Sequence, residues 1–394
     1  MIFLVDDIIL NKAYPNLGKW AAQPYTQSWR EFDQHWPFVT PVRLFEYFDE
    51  YQISYDVQKI GETIPANSCY PIALSFFNFE IDYFALLPAI IKTACASRAC
   101  KILFYYHEGD NPINIKHRIE ALCSIHNLPS DCYIFISGNT VARDLDNFLY
   151  FPDHEFIYQL RNKHHTPGEI NVATRPYQFV ALNRTHKWWR ATIMADLHRA
   201  KLLDYALWSY QTELSTNDNF SDNPIEVDSL NIQDYINDFY DNAPYWADNF
   251  TLEQQNDHSK LVRQHYDDAY FHLVIETHFD ADGSGGAFLT EKIFKPIKHG
   301  QPFMVAGTPR TLATLRDLGY RVFDSQIDNS YDLELNNTAR WIKLRDTIAN
   351  ITSKNMHSWF LSCIDDVKHN QELYNRPKLT RLNKIIKDIH ELTY

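Results

Sequence analysis

Several features that would assign this chain to a specialised class are missing. Its six cysteines form no CxxC pair, and five of them lie in the first 132 residues, mostly within apolar segments. This distribution favours buried free thiols in a reducing compartment over disulfides or a zinc site. No apolar run approaches the roughly 20 residues that a membrane-spanning helix needs. The acidic N-terminus is too short for a signal peptide, and Ile2–Leu10 is predicted to be a strand. We therefore expect a cytoplasmic protein without a membrane span.

Basic residues are scarce relative to acidic ones. The chain has 37 Lys and Arg against 50 Asp and Glu, which gives a formal net charge of −13. This balance disfavours a general binder of nucleic acids or membrane surfaces, although a local basic patch remains compatible with it. The composition is 45% hydrophobic and 15% aromatic, as in globular proteins, and 394 residues are enough for two or three domains.

What the sequence does contain is a segment of alternating strands and helices, His272–Phe323. Its predicted elements are strands at His272–Phe279, Pro302–Ala306 and Tyr320–Phe323, and helices from Glu291 to Gly300 and at Thr308–Gly319. A Gly-rich loop, Asp280–Ala287, joins the first strand to the first helix. This alternation implies βαβ units on a parallel sheet, and ligands bind such sheets beyond the carboxyl ends of the strands.

The same alternation divides the chain into two α/β halves. Residues 1–165 are predicted to form a first domain of about five parallel strands, including a helix at Ile81–Arg98 and an edge strand at Phe156–Leu160. Polar residues 162–176 read as a linker, and the His164–His165 pair has no third ligand at a metal-like spacing. Residues 166–350 are predicted to be a second Rossmann-like domain, and residues 351–394 form helices, the last of which can cross back to the first domain.

Candidate phosphate-binding residues follow two strands of the second half. Asn183, Arg184 and Arg190 lie after one predicted strand and in the first turns of the next helix. Thr290, Glu291 and Lys292 start another helix. A helix N-terminus attracts anions, arginine binds phosphate through two hydrogen bonds, and an acidic side chain accepts hydrogen bonds from a ribose diol. Each residue also has an ordinary explanation as a cap or a surface charge, but the combination predicts a nucleoside diphosphate site.

Two segments of this half resemble a known enzyme family. FLTEKIFKPIKHGQPFMVAG with LRDLGYRVF, and FVALNRTHKWWRATIMADLHRAKLLDYALWSY, resemble the donor-binding region of GT-B glycosyltransferases. The resemblance is greatest to the α1,3-fucosyltransferase type and related phage, viral and bacterial enzymes. It implies two Rossmann-like domains that face a central cleft and a nucleotide-sugar donor. By position, Arg190 and Lys292 would contact the donor phosphates and Glu291 the ribose, while Asn183 and Arg184 would line the same pocket.

Direct displacement at an anomeric carbon needs a base that takes the acceptor proton. The loop His107–Pro112 follows a predicted strand of the first domain and contains two carboxylates. Glu108 is the first choice for the base and Asp110 the second, and both are also compatible with turn or cap roles. The acceptor is not implied by the resemblance. The aromatic segment Asn11–Thr40 is either an acceptor platform, since aromatic faces stack on sugars and bases, or a packed surface loop.

A metal site is the competing interpretation of Asp280-Ala281-Asp282. A DxD motif binds metal in GT-A glycosyltransferases, and the Asp280 segment also weakly resembles the start of a calcium loop. Residues 285–290 offer few oxygen side chains, so we expect a mobile loop that folds over the donor and no metal or other cofactor.

Three functions follow from the sequence. The favoured one is an inverting, metal-independent glycosyltransferase that moves a sugar from a nucleotide sugar to an acceptor hydroxyl, such as that of a glycan. An alternative is a phage-type enzyme that glycosylates a modified, hydroxymethylated DNA base, for which an aromatic loop would suit a flipped base. The third is an inactive nucleotide- or glycan-binding module, because a fold does not determine a function.

Overall fold

The computed structural model describes residues 2–5, 43–74, 77–161, 169–212, 220–247, 262–280 and 285–393. The chain divides into two compact units. The first contains Met1–Leu160 together with Pro377–Tyr394, and the second contains Arg161–Arg376. The predicted aromatic segment Asn11–Thr40, the His164–His165 pair and most of the Asp280-Ala281-Asp282 motif lie outside the described residues. No helix in the described ranges combines the length and apolarity needed to cross a membrane.

The first unit is built on a parallel sheet. Its strands are β1 (Ile2–Val5), β2 (Asp56–Lys59), β3 (Ser68–Leu74), β4 (Cys100–Tyr106), β5 (Tyr133–Ser137) and β6 (Phe148–Tyr150). They lie in the order β2-β1-β3-β4-β5-β6, and all pairs are parallel. Strands β3 and β5 are buried along their whole length and β4 nearly so. This is the pattern of a parallel sheet that is covered on both faces.

The helices of the first unit correct two sequence predictions. They are α1 (Arg43–Glu50), α2 (Ala89–Ala96), α3 (Pro112–Ile125), α4 (Asp153–Arg161) and the C-terminal helix (Leu379–Thr393). The helix predicted from Ile81 is wrong in its first half, because Pro88 precedes α2 and Asp82 instead accepts turn hydrogen bonds from Phe84 and Ala85. The strand predicted at Phe156–Leu160 is also wrong, because acidic residues after Pro152 start a helix there.

The C-terminal helix completes the core of the first unit. Leu382, Ile385 and Ile389 are buried among the residues of this core. The buried carboxylate of Glu155 lies 3.5 Å from Nζ of Lys378 and pairs with the guanidinium of Arg381. The sequence allowed the last helix to return to the first domain. The returning segment begins at Pro377, whereas the helices before Arg376 belong to the second unit. All six cysteines are buried and free, as predicted.

The second unit has a smaller parallel sheet. Its strands are β7 (Tyr177–Asn183), β8 (Leu207–Tyr210), β9 (Ala269–Ile275) and β10 (Phe303–Ala306), in the order β10-β9-β7-β8. Its helices are α5 (Trp188–Arg199), α6 (Val227–Leu230), α7 (Gln233–Asp241), α8 (Arg263–Asp267), α9 (Glu291–Lys298), α10 (Thr311–Asp317), α11 (Asn337–Thr352), α12 (Met356–Ser362) and α13 (Ile364–Asn375). Two α/β units with parallel sheets are compatible with a two-domain Rossmann-like fold, and the predicted α/β class is confirmed.

The strand predicted at Tyr320–Phe323 is absent from the second unit. The side chain of Asn370 on α13 donates to the carbonyl of Arg321 and accepts from its N–H, both at 2.7 Å. Phe323 has a φ of +63°, which is incompatible with an extended strand. Tyr320, Val322 and Phe323 are buried as they would be in a strand, but a helix side chain takes the backbone hydrogen bonds of Arg321 in place of a neighbouring strand.

Candidate functional site

The start of helix α9 lies at the carboxyl edge of the second unit's sheet. Strand β9 ends at Ile275, and Glu276 and Thr277 follow it. Thr290 has an extended backbone, and its hydroxyl accepts from the N–H of Lys292 at 3.3 Å. Thr290 is therefore the N-cap of α9, as predicted. A side-chain cap of this kind fixes the direction of the first free N–H groups of the helix.

Glu276 joins this helix start to the strand end. Its buried carboxylate accepts from the hydroxyl of Thr290 at 2.5 Å, and from the N–H groups of Thr290 and Thr277 at 3.3 Å each. Burial raises the pKa of Glu276, and the charge of Lys292 opposes that rise. Sequence reasoning missed this residue. The available signal was a carboxylate directly after an apolar strand. The predicted strand His272–Phe279 ran past Glu276, so Glu276 was not recognised as a residue at a strand end.

Lys292 and Glu291 are brought together at the first turn of α9. The Nζ atom of Lys292 lies 3.1 Å from the hydroxyl of Thr277, 3.2 Å from that of Thr290 and 3.3 Å from Oε1 of Glu291. The side chain of Lys292 is 30% exposed and that of Glu291 is 11% exposed. A cation, two hydroxyls and a helix N-terminus thus meet where solvent reaches them. Such a group can hold an anionic oxygen, with a carboxylate acceptor beside it.

Arg190 connects the start of α5, which follows β7, to Glu276 at the end of β9. It lies in the first turn of α5 and is buried, with its guanidinium 5.1 Å from the ring of Trp189. Its Nη2 donates to the carbonyl of Glu276 at 2.9 Å, and its Nη1 donates to the carbonyl of Thr185 at 3.0 Å. The structure therefore brings Arg190 beside Glu276, while contact with a donor phosphate stays a prediction.

Asn183 and Arg184 lie on the adjacent strand end. Asn183 is the last residue of β7 and is buried, and Arg184 follows it half-buried. The carbonyl of Asn183 accepts from the N–H of Gln211, just after β8, at 3.1 Å. The six predicted donor-binding residues of this unit thus lie at two adjacent strand ends, β7 and β9, and at the starts of the helices that follow them.

The predicted lid is described only at its first residue. Asp280 accepts from Nδ2 of Asn337, at the start of α11, at 2.9 Å. Arg340 holds the preceding turn by donating to the carbonyls of Phe279 and Gly307. In the part of the chain that the structure describes, no three His, Cys, Asp or Glu side chains converge as a metal site. Residues 281–284 lie outside it, so the folding of a loop over the donor stays a prediction.

The two candidate bases follow strand β4 in the first unit. Oε1 of Glu108 lies 3.4 Å from Nε2 of His107. Burial raises the pKa of Glu108, but the hydrogen bond and charge of His107, with His154 and Arg43, outweigh it and lower the pKa to about 2. Its side chain remains partly exposed. Asp110 differs, because its Oδ2 accepts from the hydroxyl of Tyr106. Glu108 is thus ionised, and its carboxylate, unlike that of Asp110, is not bonded to the hydroxyl of Tyr106.

A buried charge cluster lies near Glu108, and the sequence did not predict it. Asp153, the first residue of α4, accepts from Nη1 of Arg43 and from the hydroxyl of Tyr47 at 2.7 Å each, and also from the hydroxyl of Tyr105. Burial raises the pKa of Asp153, and Arg43 with the nearby histidines lowers it to about 2. The cluster was missed because residues 153–160 were not predicted to be helical.

The chain matches no known protein-family model, no curated protein and no solved structure. The function is therefore argued from the two groups of side chains around Glu276 and Glu108.

Proposed function

We propose that this protein is a GT-B glycosyltransferase that binds a nucleotide sugar at the carboxyl edge of its second sheet and transfers the sugar to an acceptor hydroxyl with inversion. The observation that carries the proposal is the grouping of Lys292, Glu291 and Arg190 around Glu276 at a capped helix start. Carboxyl ends of parallel strands are where α/β folds bind nucleotides.

The first turn of α9 is suited to a diphosphate. The ammonium of Lys292, the hydroxyl of Thr277 and the N-terminal end of the helix all favour a negatively charged oxygen. These groups are already held in position by Glu276 and Thr290, so little reorganisation is needed when charge develops on the leaving diphosphate. Their role in transfer is to bind the donor and to stabilise the departing nucleoside diphosphate.

Glu291 is suited to the ribose. Its carboxylate accepts from Lys292 and retains some solvent exposure next to the phosphate-binding group. A carboxylate can accept hydrogen bonds from both hydroxyls of a ribose, as acidic residues do in dinucleotide sites. A ribose bound there would follow a diphosphate held by Lys292, which is the order of groups in a nucleotide sugar.

Glu108 is the proposed base of the transfer. The acceptor oxygen forms a bond to the anomeric carbon, the bond from that carbon to the phosphate oxygen breaks, and the acceptor proton passes to Glu108. With a pKa of about 2, this carboxylate is ionised throughout the neutral range but is a weak base. Proton transfer therefore occurs late, once bond formation has made the acceptor hydroxyl acidic. The charge on the diphosphate needs no metal if Lys292 and Arg190 neutralise it.

Replacing Lys292 tests donor binding. We expect Lys292→Ala to weaken the binding of a nucleotide sugar by about 10- to 100-fold, because a charge-assisted hydrogen bond to phosphate is lost. Calorimetric titration follows a thermal-shift screen of UDP-, GDP- and other nucleotide sugars on the unmodified protein. Lys354→Ala is the matched control, since Lys354 is an exposed lysine of the same unit. A screen in which no nucleotide sugar stabilises the protein would reject the proposal.

Replacing Glu108 tests the chemistry separately from binding. Glu108→Gln keeps the shape of the side chain and removes the base, so we expect transfer of labelled sugar to fall about 10²- to 10⁴-fold while donor affinity is unchanged. Asp110→Asn serves as the comparison, because Asp110 is already bonded to Tyr106. Equal losses in both variants would contradict the assignment of Glu108.

A further inference from the structure

Two buried amide side chains lie at adjacent strand ends of the second unit with hydrogen-bonding atoms left unused. Asn183 is 3% exposed and Gln211 is 5% exposed. Among the residues that the structure describes, Nδ2 of Asn183 and Oε1 of Gln211 have no hydrogen-bond partner. Buried polar atoms without partners cost folding free energy, so two of them at adjacent strand ends call for an explanation.

The positions of the two residues are fixed by the sheet. Asn183 pairs with Tyr210 in the parallel register of β7 and β8, and the N–H of Gln211 donates to the carbonyl of Asn183 at 3.1 Å. Both backbone segments are therefore ordered by ladder hydrogen bonds. The side chains start from adjoining points on the same carboxyl edge that carries Glu276 and Lys292.

Hydrogen bonds order the chain around the two amides. Nδ1 of His186 lies 2.5 Å from the hydroxyl of Tyr210, and the backbone of Tyr210 exchanges two hydrogen bonds with Tyr245 at 2.9 and 2.8 Å. The edge is thus well bonded around the amides.

The distance between Glu276 and Gln211 along the sheet edge matches the length of a nucleotide. The strand order β9-β7-β8 places one strand between Glu276 and Gln211. Neighbouring strands are about 4.8 Å apart, so the two positions are separated by roughly 10 Å. A ligand whose diphosphate lies at Lys292 and Arg190 extends along this edge toward the amides with its base.

We infer that Asn183 and Gln211 recognise the hydrogen-bonding edge of the nucleobase in the donor. The amide nitrogen of Asn183 donates to an acceptor atom of the base, and the amide oxygen of Gln211 accepts from an N–H beside it. Asn and Gln pair with base edges in this way because amides and bases both present a donor next to an acceptor. The ligand class is a nucleoside diphosphate bound through its base, and this inference rests on the proposed function.

The first measurement needs no variant. We expect one nucleoside diphosphate among UDP, GDP, CDP and ADP to bind the full chain about 100-fold more tightly than ribose 5-diphosphate, which has no base. Two hydrogen bonds to the base, each contributing about tenfold, account for that factor. Equal affinity for ribose 5-diphosphate and every nucleoside diphosphate would show that no base is recognised and would overturn the inference.

Variants then assign the recognition to the two amides. Asn183→Leu and Gln211→Met are each expected to weaken the selected nucleoside diphosphate about tenfold and to leave pyrophosphate binding unchanged. Lys292→Ala is expected to weaken both ligands. Retained pyrophosphate binding shows that the variant is folded.

The outcomes separate this inference from the proposed function. If nucleoside diphosphates bind and the amide variants keep the wild-type preference among bases, Asn183 and Gln211 hold only water or have a structural role. The inference then fails while the proposed donor site stands. If neither pyrophosphate nor any nucleoside diphosphate binds, the proposed function fails and takes the inference with it.

Discussion

His272 is a histidine that the second unit keeps uncharged. It lies in β9 opposite Phe303, and its buried ring is 5.4 Å from the ring of Tyr266. Burial, together with the positive charges of Lys295 and His265, lowers the pKa of His272 to about 3. The imidazole is therefore neutral in the folded protein at any pH where the protein is expected to work.

This histidine makes the stability of the second unit depend on pH. Between pH 3 and about 6.5 the unfolded chain binds a proton at His272 that the folded chain does not, so stability rises with pH across this window. Above about pH 6.5 the protonation of His272 no longer lowers the free energy of unfolding. At pH 5 it lowers this free energy by roughly 2 kcal/mol. Denaturant unfolding at pH 7 and pH 5 measures it.

A substitution isolates the contribution of His272. We expect His272→Leu to make the unfolding free energy less dependent on pH between 5 and 7, because no proton can then bind in the unfolded state at that position. His117→Leu is the control, since His117 is exposed on α3. A variant His272→Leu with the wild-type pH dependence would show that another group titrates.

Helix α9 shows how an element is bounded at both ends. Thr290 caps its start, and Gly300 follows its last turn with a φ of +67°. A Cβ atom on Gly300 would lie 2.8 Å from Cγ1 of Ile170 and 3.4 Å from Nε2 of Gln371. The glycine is required both by its left-handed backbone and by the close packing of residues before β7 and on α13.

Replacing this glycine should destabilise the second unit. Gly300→Ala is expected to cost about 1–3 kcal/mol, from the unfavourable φ and the contact with Ile170. Thermal or denaturant unfolding measures the loss. Gly61→Ala is the comparison, because the nearest atom to its Cβ would be the carbonyl oxygen of Thr63 at 4.0 Å. A loss no larger than that of Gly61→Ala would contradict the argument.

The whole molecule consists of one continuous unit and one discontinuous unit. The chain leaves the first unit after Leu160, forms the second, and returns at Pro377. The returning helix places Leu382 in the first core and brings two cations to the buried Glu155. Cations remote in sequence thus compensate a charge that would otherwise be costly to bury.

This organisation predicts that a C-terminal substitution destabilises the N-terminal sheet. Leu382 is 0% exposed, and Leu382→Ala is expected to cost the first unit about 2–5 kcal/mol. Amide hydrogen exchange should speed up in β3, β4 and β5 and stay unchanged in β7 and β9. Leu379→Ala is the control, because Leu379 is 42% exposed on the same helix. Faster exchange in both sheets would contradict two separately stabilised units.

Local signals were sufficient for much of the fold. Apolar strands such as β4 and β9 are visible as runs of β-branched and aromatic residues, and the Thr290 cap lies next to the residues that it organises. Thr290, Glu291 and Lys292 could be singled out for the same reason, because they are consecutive and the cap makes the helix start visible.

Where local patterns were ambiguous, the prediction failed. The apolar residues of 156–160 suit a strand as well as a helix, and Tyr320–Phe323 is apolar enough for a strand. Tyr320–Phe323 is not a strand because Asn370, 49 residues further along the chain, takes the backbone hydrogen bonds of Arg321. Competition for backbone partners between distant residues has no trace in a short window of sequence.

The sequence by itself thus determined two α/β halves, their main strands and the helix start that contains Lys292. Only the tertiary structure decided that Glu276 and Asp153 are buried charges and that the last helix belongs to the first unit. The reason is physical. Hydrophobic patterning and capping act within a few residues, whereas a carboxylate is buried only when donors from distant parts of the chain replace the water that it loses.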